Sequence, residues 1–305
     1  MRPTLLAALF ASLALPLLAA ERPGDLHDVR IDPFFVETVP VQPSRHRLCV
    51  RGDFALDGFK TLSGTQTVRG LYTRAEPSLE YRYAPGGAAE IFFRLPYTAQ
   101  NVELNTGDGS RVSSRYSAGA GQPSVGFKLP LSRWAAVEGR TALPTEAKDR
   151  TPRLGDGAHY GADLLFKTGR WHWQAGHTVR LPYEIQRATQ TFRRRPGGVT
   201  EIALARTPRD ARTAKSDYVG TVVELHGVYA DHERLDGEAV EDSTSLAGRA
   251  IFGFVLGKIN LRATHLTQVA VSVGFGDGIH KTEDPVFGVG DLHLTVGYEL
   301  LWGFH

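Results

Sequence analysis

Apolar and polar residues alternate along most of this chain. In "LYTRAEPSLEYRY", residues 71–83, the odd positions hold Leu71, Leu79, Tyr81 and Tyr83, and the even ones hold Arg74, Glu76, Glu80 and Arg82. After a Gly86-Gly87 turn, Ile91, Phe93, Leu95 and Tyr97 face one side, with Glu90, Arg94 and Thr98 on the other. A period of two predicts β-strands whose two faces meet different surroundings. Farther on, Ala135 and Val137 oppose Glu138 and Arg140, and Tyr160, Leu164 and Phe166 oppose Asp163 and Lys167. Trp171, Trp173, Val179 and Tyr183 oppose Gln174 and Arg180; Val219, Val223, Leu225 and Tyr229 oppose Glu224 and His226. Phe252 and Phe254 oppose Arg249, and Val269, Val271 and Val273 oppose Arg262 and Gln268. In the closing "DLHLTVGYELLWGFH", Leu292, Leu294, Val296, Tyr298, Leu300, Trp302 and Phe304 oppose Thr295 and Glu299.

The pattern has exceptions. His177 and His265 fall in apolar sets, and Phe92 and Leu165 in polar ones. The phase flips between Tyr116 and Val125, near Gly119-Ala120-Gly121, which predicts a bulge or break. The segments near 46–58 and 198–206 alternate least clearly. The strands number about 12, a count typical of mid-sized membrane barrels. Some connections are short (Gly86-Gly87, Thr168-Gly169, Gly257-Lys258), and others are long and polar ("NTGDGSR", "TEAKDRTPRLGDG", "DHERLDGEAVEDS", "GDGIHKTEDPVFG"). Most of them alternate, as in a meander with tight turns at one end and open loops at the other. Residues 21–45, irregular and bearing proline, read as an N-terminal periplasmic extension. Residues 46–305 are the strand-bearing domain.

Two architectures suit such strands: a soluble sandwich with apolar faces inward, or a closed barrel in the outer membrane with apolar faces toward lipid and a polar lumen. Three features favour the barrel, an all-β, transmembrane, antiparallel up-and-down fold. The polar faces carry charges of both signs, as a lumen requires. They give a candidate lumen-lining set of Arg74, Glu76, Glu80, Arg82, Glu90, Arg94, Glu138, Arg140, Asp163, Arg180, Glu224, Arg249, Arg262 and Glu299. Aromatic residues cluster at the ends of the apolar faces, where rings favour the membrane–water interface. Tyr81, Tyr83, Trp171, Trp173, Tyr183, Tyr229, Trp302 and Phe304 form the candidate girdle. Third comes the start of the chain. Arg2, the apolar run Leu5–Leu18 and the small Ala19-Ala20 read as a secretory signal peptide, residues 1–20, removed on export.

Beyond residue 20 no apolar run is long enough for a membrane-spanning helix. Cys49, the single cysteine, cannot form an intrachain disulfide. The formal net charge of +2 gives no footprint for nucleic acid.

The last strand resembles the C-terminal signature of bacterial outer-membrane proteins, a terminal aromatic preceded by apolar residues at alternate positions. Phe304, Trp302, Leu300 and Tyr298 match it, and His305 adds one residue. That resemblance implies recognition by the barrel-assembly machinery. A looser one covers roughly the middle third: "PSVGFKLPL", then "LPTE", a Gly/Asp loop, "YGADLLF" and "WHWQAGHT". This run is similar to an outer-membrane family of transporters assigned to the phenol-degradation meta-pathway. It implies a barrel and uptake of small hydrophobic or aromatic molecules, and it supplies no catalytic residues.

No motif for enzyme chemistry stands out. There is no Gly-x-Ser-x-Gly, no His-Glu-x-x-His and no Cys/His spacing for a metal, so neither a catalytic group nor a cofactor is expected. Arg193-Arg194-Arg195, in an expected loop, is either a solvated charge run or a contact for lipopolysaccharide phosphates. The expected function is passage of a small solute through a charge-lined lumen in the outer membrane, with outer-membrane lipid and the assembly machinery as partners. A structural or adhesion barrel working through its loops, a lipid-acting membrane enzyme and a secreted soluble β-sandwich are the alternatives.

Overall fold

The computed structural model describes residues 28–29, 37, 44–63, 66–85, 89–105, 111–144, 158–187, 190–208, 211–212, 217–240, 244–258, 263–276 and 292–304. No α-helix occurs among them. The strands are β1 (Asp28–Val29), β2 (Ser44–Ser63), β3 (Gln66–Tyr83), β4 (Glu90–Asn105), β5 (Arg111–Ala120), β6 (Ser124–Ser132), β7 (Ala135–Ala142), β8 (His159–Thr168), β9 (Trp171–Arg180) and β10 (Tyr183–Arg187). There follow β11 (Gln190–Arg195), β12 (Val199–Arg206), β13 (Ala211–Arg212), β14 (Asp217–Ala230), β15 (Arg234–Leu235), β16 (Glu238–Ala239), β17 (Ser245–Lys258), β18 (Ala263–Gly276) and β19 (Leu292–Phe304).

Thirteen of these strands form one antiparallel sheet that closes on itself through β3–β4 and β19–β2. β5 and β6 both pair with the same edge of β4 and run in one direction, so they are two halves of one interrupted strand. The wall is therefore a closed antiparallel barrel of 12 strands. Closure pairs the backbone groups that an open edge would leave bare, the condition for a sheet to exist in lipid.

The interruption has a local cause. Tyr97 pairs with Ala120 and Arg94 with Ser124, so Leu95 and Pro96 oppose three residues, 121–123. The extra residue switches the inner face from odd positions (Ser117) to even ones (Lys128), which is the phase flip seen in the sequence. Pro96 and Pro123 have no N–H to give the ladder. The Gly121 N–H donates to the Pro96 carbonyl at 2.9 Å.

Ser44 and Phe304 pair at one rim, here called proximal. The β6–β7 and β8–β9 turns return the chain at this same rim. In the β8–β9 hairpin the two turn residues are Gly169 and Arg170, with Gly169 at φ 60°, a first-position glycine suited to a type II′ turn. The expected Gly257-Lys258 turn is not one. Gly257 pairs with Leu266 and Lys258 with His265, because the ladder runs on through both. Gly86 and Gly87 lie outside the described residues. At the proximal rim β13 pairs with β1, which ties the N-terminal segment there.

At the opposite, distal rim the wall keeps rising. β10, β11 and β15 continue β9, β12 and β14 with the register unbroken: the Asp231 N–H donates to the Gly198 carbonyl at 2.9 Å, and the Asp236 N–H to the Arg193 carbonyl at 2.8 Å. β16 turns back along β15 through Asp236-Gly237, both at positive φ (50° and 94°), as a two-residue type I′ turn demands. Part of the expected open loop 231–243 is thus a hairpin.

The outer face is apolar. Val219 and Leu246 are 71% and 68% exposed, whereas Glu224, Gln268 and Glu299 on the inner face are at 0%. The soluble sandwich is replaced by a single closed sheet with its greasy face outward.

Candidate functional site

The barrel interior is the site. Of the 14 charged residues expected to line it, Arg74, Glu76, Glu80, Arg82, Glu90, Arg94, Glu138, Arg140, Asp163, Arg180, Glu224, Arg249 and Glu299 stand on the inner face. Arg262 lies outside the described residues. The alternation that put them inward follows from the pleat, since neighbours on a strand point to opposite faces.

The proximal layer is dense and dry. Arg82 donates from Nε to Glu80 (2.5 Å) and from Nη1 to Glu90 (2.8 Å). Lys128 Nζ lies 3.6 Å from Glu90 Oε1. Arg47 donates to Glu299 at 2.7 Å, and the Gln268 amide donates to the same oxygen at 2.9 Å. Into this layer comes Glu37, from the N-terminal segment. Arg82 donates to both of its carboxylate oxygens (2.6 and 2.8 Å), Lys128 to one (3.4 Å), and the Glu37 N–H donates to the Gln174 side-chain oxygen (3.0 Å). Burial pushes the Glu37 carboxyl upward, but Arg82 and Lys128 outweigh it and hold the group well below the usual carboxylate range. Glu37 therefore crosses the lumen as an anion.

Farther up the lumen some pairs are more exposed and others as buried as these. Arg94 lies 3.2 Å from Glu76 and 4.0 Å from Asp53; Arg74 also pairs with Glu76. Gln174 donates to Asp163 at 3.1 Å, and Arg140 sits 3.8 Å from the other Asp163 oxygen. His226 is held between Glu201 (2.7 Å) and Glu224 (3.0 Å). The Arg94 and Arg140 side chains keep about a third of their surface exposed, whereas Lys128 and Glu90 keep almost none. The interior is partly solvent-accessible around Arg94 and Arg140 and closely packed around Lys128 and Glu90.

The lumen is not polar all round. Val222, Ile251, Val255, Leu266, Ala270 and Leu301, from β14, β17, β18 and β19, form a buried apolar cluster on the inner face. The sequence exceptions also find partners. Phe92 lies inward beneath the Arg82 guanidinium (4.7 Å), and Leu165 packs inward with Ala136. His177 bonds Thr200 on the outer face (3.0 Å), and His265 bonds the Tyr298 hydroxyl (2.5 Å). Alternation missed Glu37, Arg47, Arg51, Asp53, Lys128 and Glu201 as lumen residues. Arg47, Arg51 and Asp53 were findable, since they share one parity along β2.

Of the expected girdle, Tyr81, Tyr83, Trp171, Trp173 and Trp302 stand near the proximal rim. Trp302 stacks on His46 (5.1 Å, 13°), whose Nδ1 meets the Tyr81 hydroxyl at 2.8 Å. Tyr229 is near the distal rim. Tyr183 is placed beyond that rim in β10, half-buried, because the wall there outlasts the barrel. Phe304 pairs with Ser44; its side chain lies outside the described residues. Arg193, Arg194 and Arg195 are on a strand, β11, not in a loop. Arg194 is buried and bidentate to Glu233 (2.8 and 3.2 Å), while Arg193 and Arg195 are exposed. Among the described residues no group of three or more His, Cys, Asp or Glu is placed to hold a metal ion.

These features can be set beside known proteins. The barrel is similar to a crystal structure of an outer membrane channel from Pseudomonas putida F1. That match has a TM-score of 0.55 at 13% identity and covers 88% of this chain and 99% of that one. A second solved structure, the transport unit of the autotransporter AIDA-I from Escherichia coli, matches at TM-score 0.40 and 10% identity, covering 96% and 98%. No family model and no curated protein matches the sequence. The likeness to the channel shows a shared fold.

Proposed function

We propose that this chain is an outer-membrane channel for small solutes, restricted at its proximal end by Glu37. One observation carries the proposal: a closed barrel with an apolar outer wall holds a charged lumen, partly solvent-accessible around Arg94 and Arg140, with Glu37 seated on Arg82 and Lys128 near its proximal end. The outer wall suits lipid, and the ion pairs that line the lumen between neighbouring strands narrow it and set its charge. Residues 1–20, read as a signal peptide, support export, and an even strand count would put both ends of the barrel chain on the periplasmic side with the distal rim outside the cell. The solute class favoured by the phenol-pathway resemblance is small hydrophobic or aromatic molecules; the apolar cluster of Val222, Ile251, Val255, Leu266 and Leu301 is fully buried and serves packing.

The test is flux. Purified protein is reconstituted in lipid vesicles, and entry of ions and of small aromatic solutes is measured for the native chain and for Glu37→Gln. The expected result is low flux in the native protein and higher flux in the variant. A correctly folded barrel that passes no solute in either form would sink the channel proposal and leave the loop-based adhesion alternative.

A further inference from the structure

The lumen pairs its charges almost residue by residue, but the distal mouth does not. Because β9–β10, β11–β12 and β14–β15 keep one register across the rim, each face of the wall continues into the extension. Arg195 is directly opposite Arg234, and Arg193 is two residues from Arg195 on the same strand. By the pleat, all three continue the face that lines the lumen, whereas Arg194 and Glu233 continue the outer face. Arg193, Arg195 and Arg234 are exposed, and their side chains have no ion-pair partner among the described residues. Arg115, on the inner face of β5 toward the distal rim, is exposed as well. Against these four cations the same described face of the distal mouth carries two exposed carboxylates, Glu184 and Asp236, both opposite Arg193, and the Asp236 Oδ1 accepts from the Arg193 backbone N–H at 2.7 Å.

Like charges set directly opposite on paired strands are unfavourable without an anion between them. A chain that pairs Arg47, Arg82, Arg94 and Arg140 has the carboxylates to pair these too, yet leaves a cationic mouth above a nearly neutral lumen. Guanidinium groups on one rim attract carboxylates and phosphates and raise their concentration at the entrance.

We infer that Arg193, Arg195 and Arg234, with Arg115 across the mouth, form a vestibule that recruits small organic anions into the barrel. This rests on the channel proposal and names the charge class of its solute. It also turns the arginine run away from lipopolysaccharide, since Arg193 and Arg195 continue the lumen face and Arg194 is taken by Glu233.

The experiment compares the Glu37→Gln channel with Glu37→Gln carrying Arg193→Glu, Arg195→Glu and Arg234→Glu, in planar bilayers under a KCl gradient at low ionic strength. The expected result is chloride preference in the first and a fall in the chloride-to-potassium permeability ratio of about tenfold in the second. The Arg→Gln triple variant should lie between, and the heat-sensitive mobility of a folded barrel on gels checks that all three are intact. The preference should also fade at 1 M salt, where screening shortens to about 3 Å. Cation preference in the parent, or an unchanged ratio in the folded triple variant, overturns the vestibule while conduction itself upholds the channel. An unchanged ratio accompanied by loss of lipopolysaccharide binding would assign the arginines to lipid instead. Absence of any conduction removes the channel and the vestibule together.

Discussion

Arg82 grips both carboxylate oxygens of Glu37, with Nη2 at 2.6 Å from one and Nη1 at 2.8 Å from the other, across 45 positions of sequence. Two parallel charge-assisted bonds fix an orientation as well as a distance. Glu37→Gln keeps the shape and removes the charge, and its loss weakens the contact by on the order of 2 kcal/mol, or roughly thirtyfold in the ratio of closed to open lumen. The expected outcome is a higher open fraction in single-channel records. Arg82→Gln is a poorer probe because Glu80 and Glu90 share the same guanidinium, and its loss should lower barrel stability. Equal open fractions for Glu37→Gln and the native chain would mean that the segment is held by something else.

Acid should release the same contact. The seated Glu37 titrates below its free value of 4.5, so its ionised form contributes fully above that pH. The contribution is lost as pH falls from the free value toward the seated one, because protonation then favours the released segment. Conductance is therefore expected to rise on acidification below about pH 4.5, and Glu37→Gln should flatten that part of the profile. A native profile that the variant leaves unchanged would trace the acid response to other carboxylates.

A tighter constraint sits between Asp163 and Gly176. A Cβ at Gly176 would come within 1.8 Å of Asp163 Oδ1, the oxygen that accepts from Gln174. Gly176→Ala must push that carboxylate aside inside a packed lumen, at a cost of about 1–3 kcal/mol. The midpoint of urea unfolding from lipid should fall accordingly, and Asp163→Ala in the same chain should recover part of the loss. An unmoved midpoint would show that the lumen yields there more easily than its packing implies.

How far the sequence anticipates the fold depends on periodicity. The strand faces were legible because the pleat imposes a period of two on thirteen strands at once. The break at 121–123 was legible as a change of phase. Glu37 was not: a lone acid in an irregular segment has no period, and its partners are 45, 91 and 137 residues away. The apolar inner cluster was hidden differently. Val222 and Val255 sit beside outward apolar neighbours, so their stretches read as uniformly greasy rather than alternating. The distal extension escaped because Pro182 and Pro196 interrupt the pattern at the rim while the register continues past them. The Asp236-Gly237 pair was a visible turn signal within a stretch that otherwise reads as loop.

Trp302 decides how the last strand should be understood. Its ring stacks on His46 and lies near Tyr81 (6.3 Å), so it bridges β19, β2 and β3 where the barrel closes. Removing it loses apolar area and an aromatic pair worth about 0.5–1.5 kcal/mol beyond that area. Trp302→Ala should thus weaken the barrel in purified lipid to a modest, measurable degree. If the strand also carries the signal read by the assembly machinery, insertion into the outer membrane of cells should fall much more than stability does, and Trp302→Ala with Phe304→Ala should fall further. His46→Ala supplies the comparison, because it breaks the same stack from the other side without touching the last strand. Matching losses for Trp302→Ala and His46→Ala, in cells and in purified lipid alike, would leave the closing strand with a packing role and no signal.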